Sequence, residues 1–97
     1  NVVVASQDFI DNHMDQLKSF MEVYRETVDF INTDPEADSV LAKTLQMEES
    51  VVKDARDRVD YTYEIDEEAS LETLQWSKDM GYIDEVPAAE ELFYEVQ

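Results

Sequence analysis

The apolar residues between Asp15 and Ile31 recur at spacings of three and four, which is the period of one face of a helix. Pro35 follows shortly after, and its ring blocks helical continuation and restricts the residue before it. The apolar stripe consists of Leu17, Phe20, Met21, Tyr24, Val28 and Ile31. The charged residues fall mostly on the other face and are Asp15, Lys18, Glu22, Arg25, Glu26 and Asp29. The pattern predicts a long amphipathic helix that the rest of the chain covers.

Two more amphipathic helices are predicted downstream of this segment. Asp34 followed by Pro35 is a strong signal for a helix start. The aspartate side chain can accept a hydrogen bond from an unpaired amide of the first turn, and proline has no amide hydrogen that would need a partner. The apolar stripe of this helix consists of Ala37, Val40, Leu41 and Leu45. After a connection without glycine over 46–49, the next stripe consists of Val51, Val52, Ala55 and Val59. The polar residues expected to point outward from it are Lys53, Asp54, Arg56, Asp57 and Arg58.

The last third of the chain carries clear start and stop signals. Residues 60–65 are rich in aromatic and β-branched side chains, which favours an extended crossing over continued helix. Asp66 is then the expected N-cap of a fourth helix. The only glycine, Gly81, stands where a left-handed residue ends a helix. A short last helix is predicted over residues 88–96, anchored by Leu92 and Phe93.

The first residues predict a strand followed by a short helix. Val2–Val4 is a β-branched apolar triplet, typical of a buried strand, and Ser6 is a candidate N-cap. A lone strand has no sheet to join in a helical sequence. We therefore expect a fragment of a longer protein, in which residues 1–5 form a return strand and residues 6–97 the C-terminal helices. Apolar surface left open in the isolated fragment would favour self-association.

The charge balance excludes several kinds of partner. The 97 residues include 25 acidic and 7 basic side chains, a formal net charge of −18. Such a surface repels phosphate backbones and anionic membranes. Two explanations of the acidity remain, a docking surface for a basic partner or a general adaptation to high salt. The acids are spread from Asp8 to Glu95, which favours the second.

No pattern in the sequence indicates catalysis, a metal site or a cofactor. Without cysteine there can be no disulfide, thiolate metal site or cysteine nucleophile. His13 has only carboxylates nearby, so an exposed or capping imidazole is favoured over a ligand. Adjacent glutamates do not face each other on a helix, and no glycine-rich phosphate loop is present. Tyr61, Tyr63 and Trp76 could line a ligand pocket, but core or interface packing is favoured.

The order of elements resembles a known family. Residues 1–38, with Tyr24–Thr27 inside the long helix and Asn32–Glu36 at its break, are similar to the C-terminal part of solute-binding proteins of ABC importers. The relevant importers are of the nitrate, sulfonate and taurine type, including relatives that bind thiamine-pyrimidine precursors. The later residues that match the family's ending are Tyr61, Tyr63, Asp66, Leu71, Leu74, Gly81 and Ile83.

The resemblance implies a fold, a location and partners. The fold would be a two-lobed α/β receptor of the periplasmic-binding-protein kind, of which this mainly α chain holds one strand and four or five helices. The receptor would work outside the cytoplasm, in the periplasm or extracellularly, and deliver a small solute to a membrane permease. Most ligand contacts would lie outside this segment. The resemblance transfers only a candidate hinge exit, formed by Val3, Val4, Ala5 and Ser6.

A second hypothesis comes from a different class of protein. The chain could be an independent acidic helical module that docks a basic partner. Sequence upstream of Asn1 would separate the two hypotheses, because two βα-rich lobes behind a secretory signal support the first and a start codon near Asn1 supports the second.

Overall fold

The computed structural model describes residues 2–96, and the fold is mainly helical. The helices, in chain order, are α1 (Gln7–Asn12), α2 (Met14–Thr33), α3 (Ala37–Leu45), α4 (Glu49–Arg56), α5 (Glu67–Asp79) and α6 (Ala89–Leu92). Helix α2 confirms the long amphipathic helix predicted from the apolar stripe. The principal contacts between helices join α1 to α2, α2 to α3, and α3 to α4.

Two of the predicted capping residues, Ser6 and Asp66, act as expected. The Ser6 hydroxyl accepts a hydrogen bond from the Phe9 amide at 3.2 Å and so caps α1. The Asp66 carboxylate accepts one from the Ala69 amide at 2.9 Å and caps α5. Asp34 accepts from the Glu36 amide at 2.8 Å, so it caps the turn that leads into α3. Helix α3 itself begins at Ala37, two residues later than the Asp34–Pro35 signal indicated, and its N-cap Glu36 makes no side-chain capping bond.

Gly81 ends α5 as predicted, with a positive φ of 81°. The Gly81 amide donates to the Lys78 carbonyl and the Tyr82 amide to the Ser77 carbonyl, both at 2.9 Å. These two bonds form a Schellman motif, in which the left-handed residue lets the chain turn back onto the last carbonyls. The Tyr82 ring then packs near that of Trp76, with centroids 6.1 Å apart.

The connection between α3 and α4 makes a similar turn without glycine. Gln46 takes the left-handed conformation at φ 56°, which non-glycine residues adopt only uncommonly. The Met47 amide donates to the Ala42 carbonyl at 3.0 Å, so the turn satisfies one of the last carbonyls of α3.

The buried core lies in the unit formed by α2, α3 and α4 and is small. Its buried apolar side chains within residues 2–96 are Leu17, Val28, Ala37, Ala42 and Val52. Ala37 has no exposed surface at all, which fits the close approach of α3 to its neighbours. Only part of each predicted stripe is therefore covered.

Several residues predicted to be buried are exposed instead. Phe20 on α2 keeps 51% of its surface exposed. The other exposed members of the predicted stripes are Val40, Leu45, Val51, Ala55 and Val59. The periodic pattern places these residues on an apolar face correctly, but no element in residues 2–96 lies against that part of the face. Val59 in addition lies beyond the end of α4.

The predicted N-terminal strand is not formed. Residues 2–96 contain no strand, and Val2, Val3 and Val4 are all exposed. A β-branched triplet forms a strand only when a neighbouring strand accepts its backbone hydrogen bonds, and the described chain offers none. The predicted last helix over residues 88–96 is also corrected, because α6 is a single turn that ends at Leu92.

The chain is more open than a compact domain of its size. Its radius of gyration is 16.9 Å, whereas about 12–13 Å is typical of this length. It exposes 8095 Å² for a mass of 11.3 kDa. A compact monomer of that mass exposes about 5,700 Å². The excess is about 2,400 Å², so much apolar surface has no cover within this chain.

Candidate functional site

The candidate hinge exit lies beside an apolar groove. Val3, Val4, Ala5 and Ser6 line it together with side chains of α1 and α2, namely Phe9, Leu17 and Phe20. The volume of the groove is about 380 Å³. The structure thus brings the four predicted residues together with part of the α2 stripe. Their role as a hinge stays a prediction.

The backbone at the edge of this groove is not engaged in secondary structure. Residues 2–5 belong to no helix or strand, and their amides form none of the turn or loop hydrogen bonds between backbone groups of residues 2–96. An apolar segment with free amides and carbonyls can pair with another strand. This edge of the molecule is chemically suited to accept a strand.

Arg56 joins three helices, although the sequence predicted that it would point outward. Its Nε donates to an Asp38 carboxylate oxygen on α3, and its Nη1 donates to the Ile31 carbonyl on α2 at 2.7 Å. Only 22% of the Arg56 side chain and 13% of the Asp38 side chain are exposed. The last turn of α2 has no basic residue of its own, so Arg56 supplies a cation to that carbonyl end.

The ion pair also changes the titration of both groups. The hydrogen bond from Arg56 lowers the pKa of the Asp38 carboxyl below its ordinary value, while partial burial opposes the shift. The same bond raises the pKa of Arg56. In the exposed pair at the end of α4, the hydrogen bond to Asp57 raises the pKa of Lys53. Within residues 2–96 these are the two ion pairs.

Within residues 2–96, the charged side chains on the polar face of α2 form no ion pairs. Lys18, Glu22, Arg25, Glu26 and Asp29 instead line a shallow depression of about 400 Å³. Arg25 is half-buried, and its Nη2 donates to the Val96 carbonyl at 3.1 Å. The Asn32 side chain makes a second long-range bond, to the Tyr61 carbonyl at 2.9 Å. These two bonds hold both ends of the segment that carries α5 and α6 against α2.

The aromatic residues considered as a ligand pocket are all exposed. Tyr61 and Tyr63 lie on the irregular segment before α5, and Trp76 lies on α5 itself with 57% of its surface exposed. Trp76 contacts Tyr82 across the end of the helix. The core packing favoured from the sequence is therefore wrong for these three side chains. Interface packing stays a prediction.

His13 stands at the junction of α1 and α2, as the exposed residue that the sequence favoured. Its ring packs on Phe9 with centroids 5.0 Å apart, and it makes no side-chain capping bond. Within residues 2–96, no three side chains of the histidine, aspartate or glutamate type are grouped so that they could hold a metal ion.

None of the helices described between residues 2 and 96 combines the length and apolar character needed to span a membrane.

Comparisons with models of protein families, with curated proteins and with solved structures find no match to this chain. The resemblance to solute-binding proteins thus rests on the residues and element order given above.

Proposed function

We propose that this chain is the C-terminal helical part of an extracytoplasmic solute-binding protein, which serves an ABC importer of the nitrate, sulfonate and taurine type. The role is binding and delivery of a small solute, not catalysis. The observation that carries the proposal is the surface excess of about 2,400 Å² over a compact monomer. Helices that normally cover a sheet leave such a surface when they stand alone.

The position of the open apolar surface supports the same proposal. The groove lined by Val3, Phe9 and Phe20 adjoins the free backbone of residues 2–5. A strand that pairs with this backbone would place its side chains beside those of residues 2–5. The side chains on one face of the resulting sheet would then cover the groove. The resemblance assigns that sheet to the preceding lobes of the receptor. The periplasm or the extracellular side follows as the location, and a permease as the partner.

The proposal is tested on a longer protein produced from the natural gene with its upstream sequence. We expect two βα-rich lobes behind a secretory signal. Amides 3–5 should become protected from hydrogen exchange in the longer protein and stay unprotected in the 97-residue chain. The melting temperature of the longer protein should rise with one member of a panel of nitrate, taurine, alkanesulfonates and aminopyrimidines.

A pair of substitutions on α2 shows whether the groove is covered. Phe20→Glu should destabilise the longer protein, because it would place a charge in the covered groove. Val23→Glu is the matched control on the same helix, since Val23 is 61% exposed and lies outside the groove. Equal effects of the two variants, or no response to any solute, would contradict the proposal. A start codon close to Asn1 would favour the independent acidic module instead.

A further inference from the structure

A second apolar surface lies at the C-terminal end of α5. Trp76, Met80 and Tyr82 form it, with 57%, 55% and 69% of their surfaces exposed. Trp76 and Met80 are one helical turn apart, and the Schellman turn at Gly81 brings Tyr82 back onto Trp76. We call these three residues the aromatic face. Helix α5 takes no part in the principal contacts between helices, so the face is open.

The chain around the aromatic face is strongly acidic. Residues 60–97 contain twelve acidic side chains and one basic one, Lys78, whereas residues 1–59 contain thirteen acidic and six basic ones. Glu72 and Asp79 lie within one turn of Trp76 on α5. Both ion pairs of residues 2–96 lie between residues 38 and 57, so the acids around α5 are not neutralised by pairing. An open apolar face therefore lies in the most negative part of the sequence.

We propose that the aromatic face binds a basic amphipathic segment of another protein. Apolar side chains of that segment would cover Met80 and Tyr82, and its lysines or arginines would lie against Glu72 and Asp79. A cation can also rest on the indole of Trp76, which is the best aromatic partner for one. Exposed apolar patches with a polar rim commonly mark protein interaction sites.

Charge decides between this partner and the other candidates. A second copy would bring another net charge of −18 to the face, and like charges across an interface disfavour binding. Phosphate polymers and anionic membranes are repelled for the same reason. The negative charge of the chain would raise both the affinity and the association rate of a basic segment. The inference does not rest on the proposed function, because the groove beside residues 3–6 shares no residue with the aromatic face.

Trp76 is the only tryptophan, so its fluorescence reports binding at the face directly. The 97-residue chain is titrated with a designed Lys/Leu amphipathic peptide. Two control peptides are a Glu/Leu peptide with the same apolar pattern and a Lys/Ser peptide with the same charge. We expect a blue shift and saturable binding with the Lys/Leu peptide alone, and weaker binding as potassium chloride is added.

A pair of variants locates the binding. Met80→Ala should weaken binding of the Lys/Leu peptide about tenfold, the effect of losing one anchoring contact. Val51→Ala on α4 is the matched control, because Val51 is a similarly exposed apolar residue outside the face and should leave binding unchanged. Circular dichroism checks that both variants keep their helices.

Four outcomes of the peptide experiments would overturn the inference. They are equal binding of the Lys/Ser peptide, binding of the Glu/Leu peptide, an unchanged affinity of Met80→Ala, and no binding at all. Sedimentation without peptide completes the test. Self-association that buries Trp76 would assign the face to a second copy instead.

Discussion

At the scale of single residues, Arg56 connects more of the fold than any other side chain described above. It binds a carboxylate of α3 and a carbonyl of α2, and it comes from α4. Arg56 sits in a run of charged residues, so a periodic pattern assigns it to the solvent face. Its partners lie at the end of α2 and the start of α3, and helical periodicity within α4 does not show that these two ends lie beside Arg56.

The Asp38–Arg56 pair predicts a pH-dependent contribution to stability. The pKa of Asp38 is lower in the folded chain than its ordinary value of 3.8. The pair therefore contributes fully above the ordinary pKa, and the contribution is lost as the pH falls through the folded-state pKa. We expect Asp38→Asn to lower the melting temperature by several degrees at neutral pH. The gap to the unmodified chain should close on strong acidification.

The exposed pair on α4 provides the control for this prediction. Lys53 and Asp57 are more than half exposed, and such a pair contributes little. Lys53→Met should therefore change the melting temperature less than Arg56→Met at neutral pH, although each variant removes one cation from the same helix. Similar effects of the two variants would show that Arg56 does not hold the helices together.

Gly81 gives a second prediction at the residue scale. A Cβ at this position would meet no atom within 4 Å, so the effect of Gly81→Ala comes from the positive φ alone. A left-handed conformation costs a non-glycine residue about 1–2 kcal/mol. Amide exchange at Tyr82 should speed up accordingly, and Gly81→Asn should have a smaller effect because asparagine tolerates this conformation. Equal exchange rates in all three chains would contradict the Schellman turn.

At the scale of elements, the sequence predicted where helices form and end better than it predicted which of their residues are buried. The caps at Ser6 and Asp66 and the stop at Gly81 are formed by groups only a few residues apart, so they can be found locally. Burial of Phe20 or Val51 needs another element lying against the same face. The candidate hinge residues were placed by resemblance, whereas the aromatic face could have been inferred from Trp76, Met80 and Gly81 but was not.

The stability of helix α5 depends on the capping groups at its own ends, because α5 makes none of the principal contacts between helices. Asp66→Ala removes the side-chain bond to the Ala69 amide, which should destabilise α5 by about 1 kcal/mol. Exchange of the α5 amides should increase, while the amides of α2 and α3 keep their rates. Asp60→Ala is the control, because it removes a charge outside the helix and no capping bond. Loss of protection throughout the chain would mean that α5 is part of one cooperative unit.

At the scale of the whole molecule, acidity and openness act together. The chain spreads over 43 × 36 × 21 Å, with two apolar surfaces that lie on α1–α2 and on α5. The net charge of −18 keeps like copies apart in dilute buffer. Screening removes that repulsion, so added salt should favour both compaction and self-association. The two effects are separable, because only self-association depends on protein concentration.

Salt dependence therefore gives the last prediction. If the acids form a general surface, their repulsion destabilises the compact state, and potassium chloride should raise the melting temperature between dilute buffer and about 1 M, where the Debye length is roughly 3 Å. Sulfate is avoided because it also strengthens apolar burial. The partly buried Arg56–Asp38 pair is screened less than exposed charges, so it should not reverse the trend. The measurement is repeated at several protein concentrations to exclude stabilisation by self-association. A melting temperature that stays flat or falls would mean that the acids are already compensated, and the interpretation as adaptation to high salt would then be wrong.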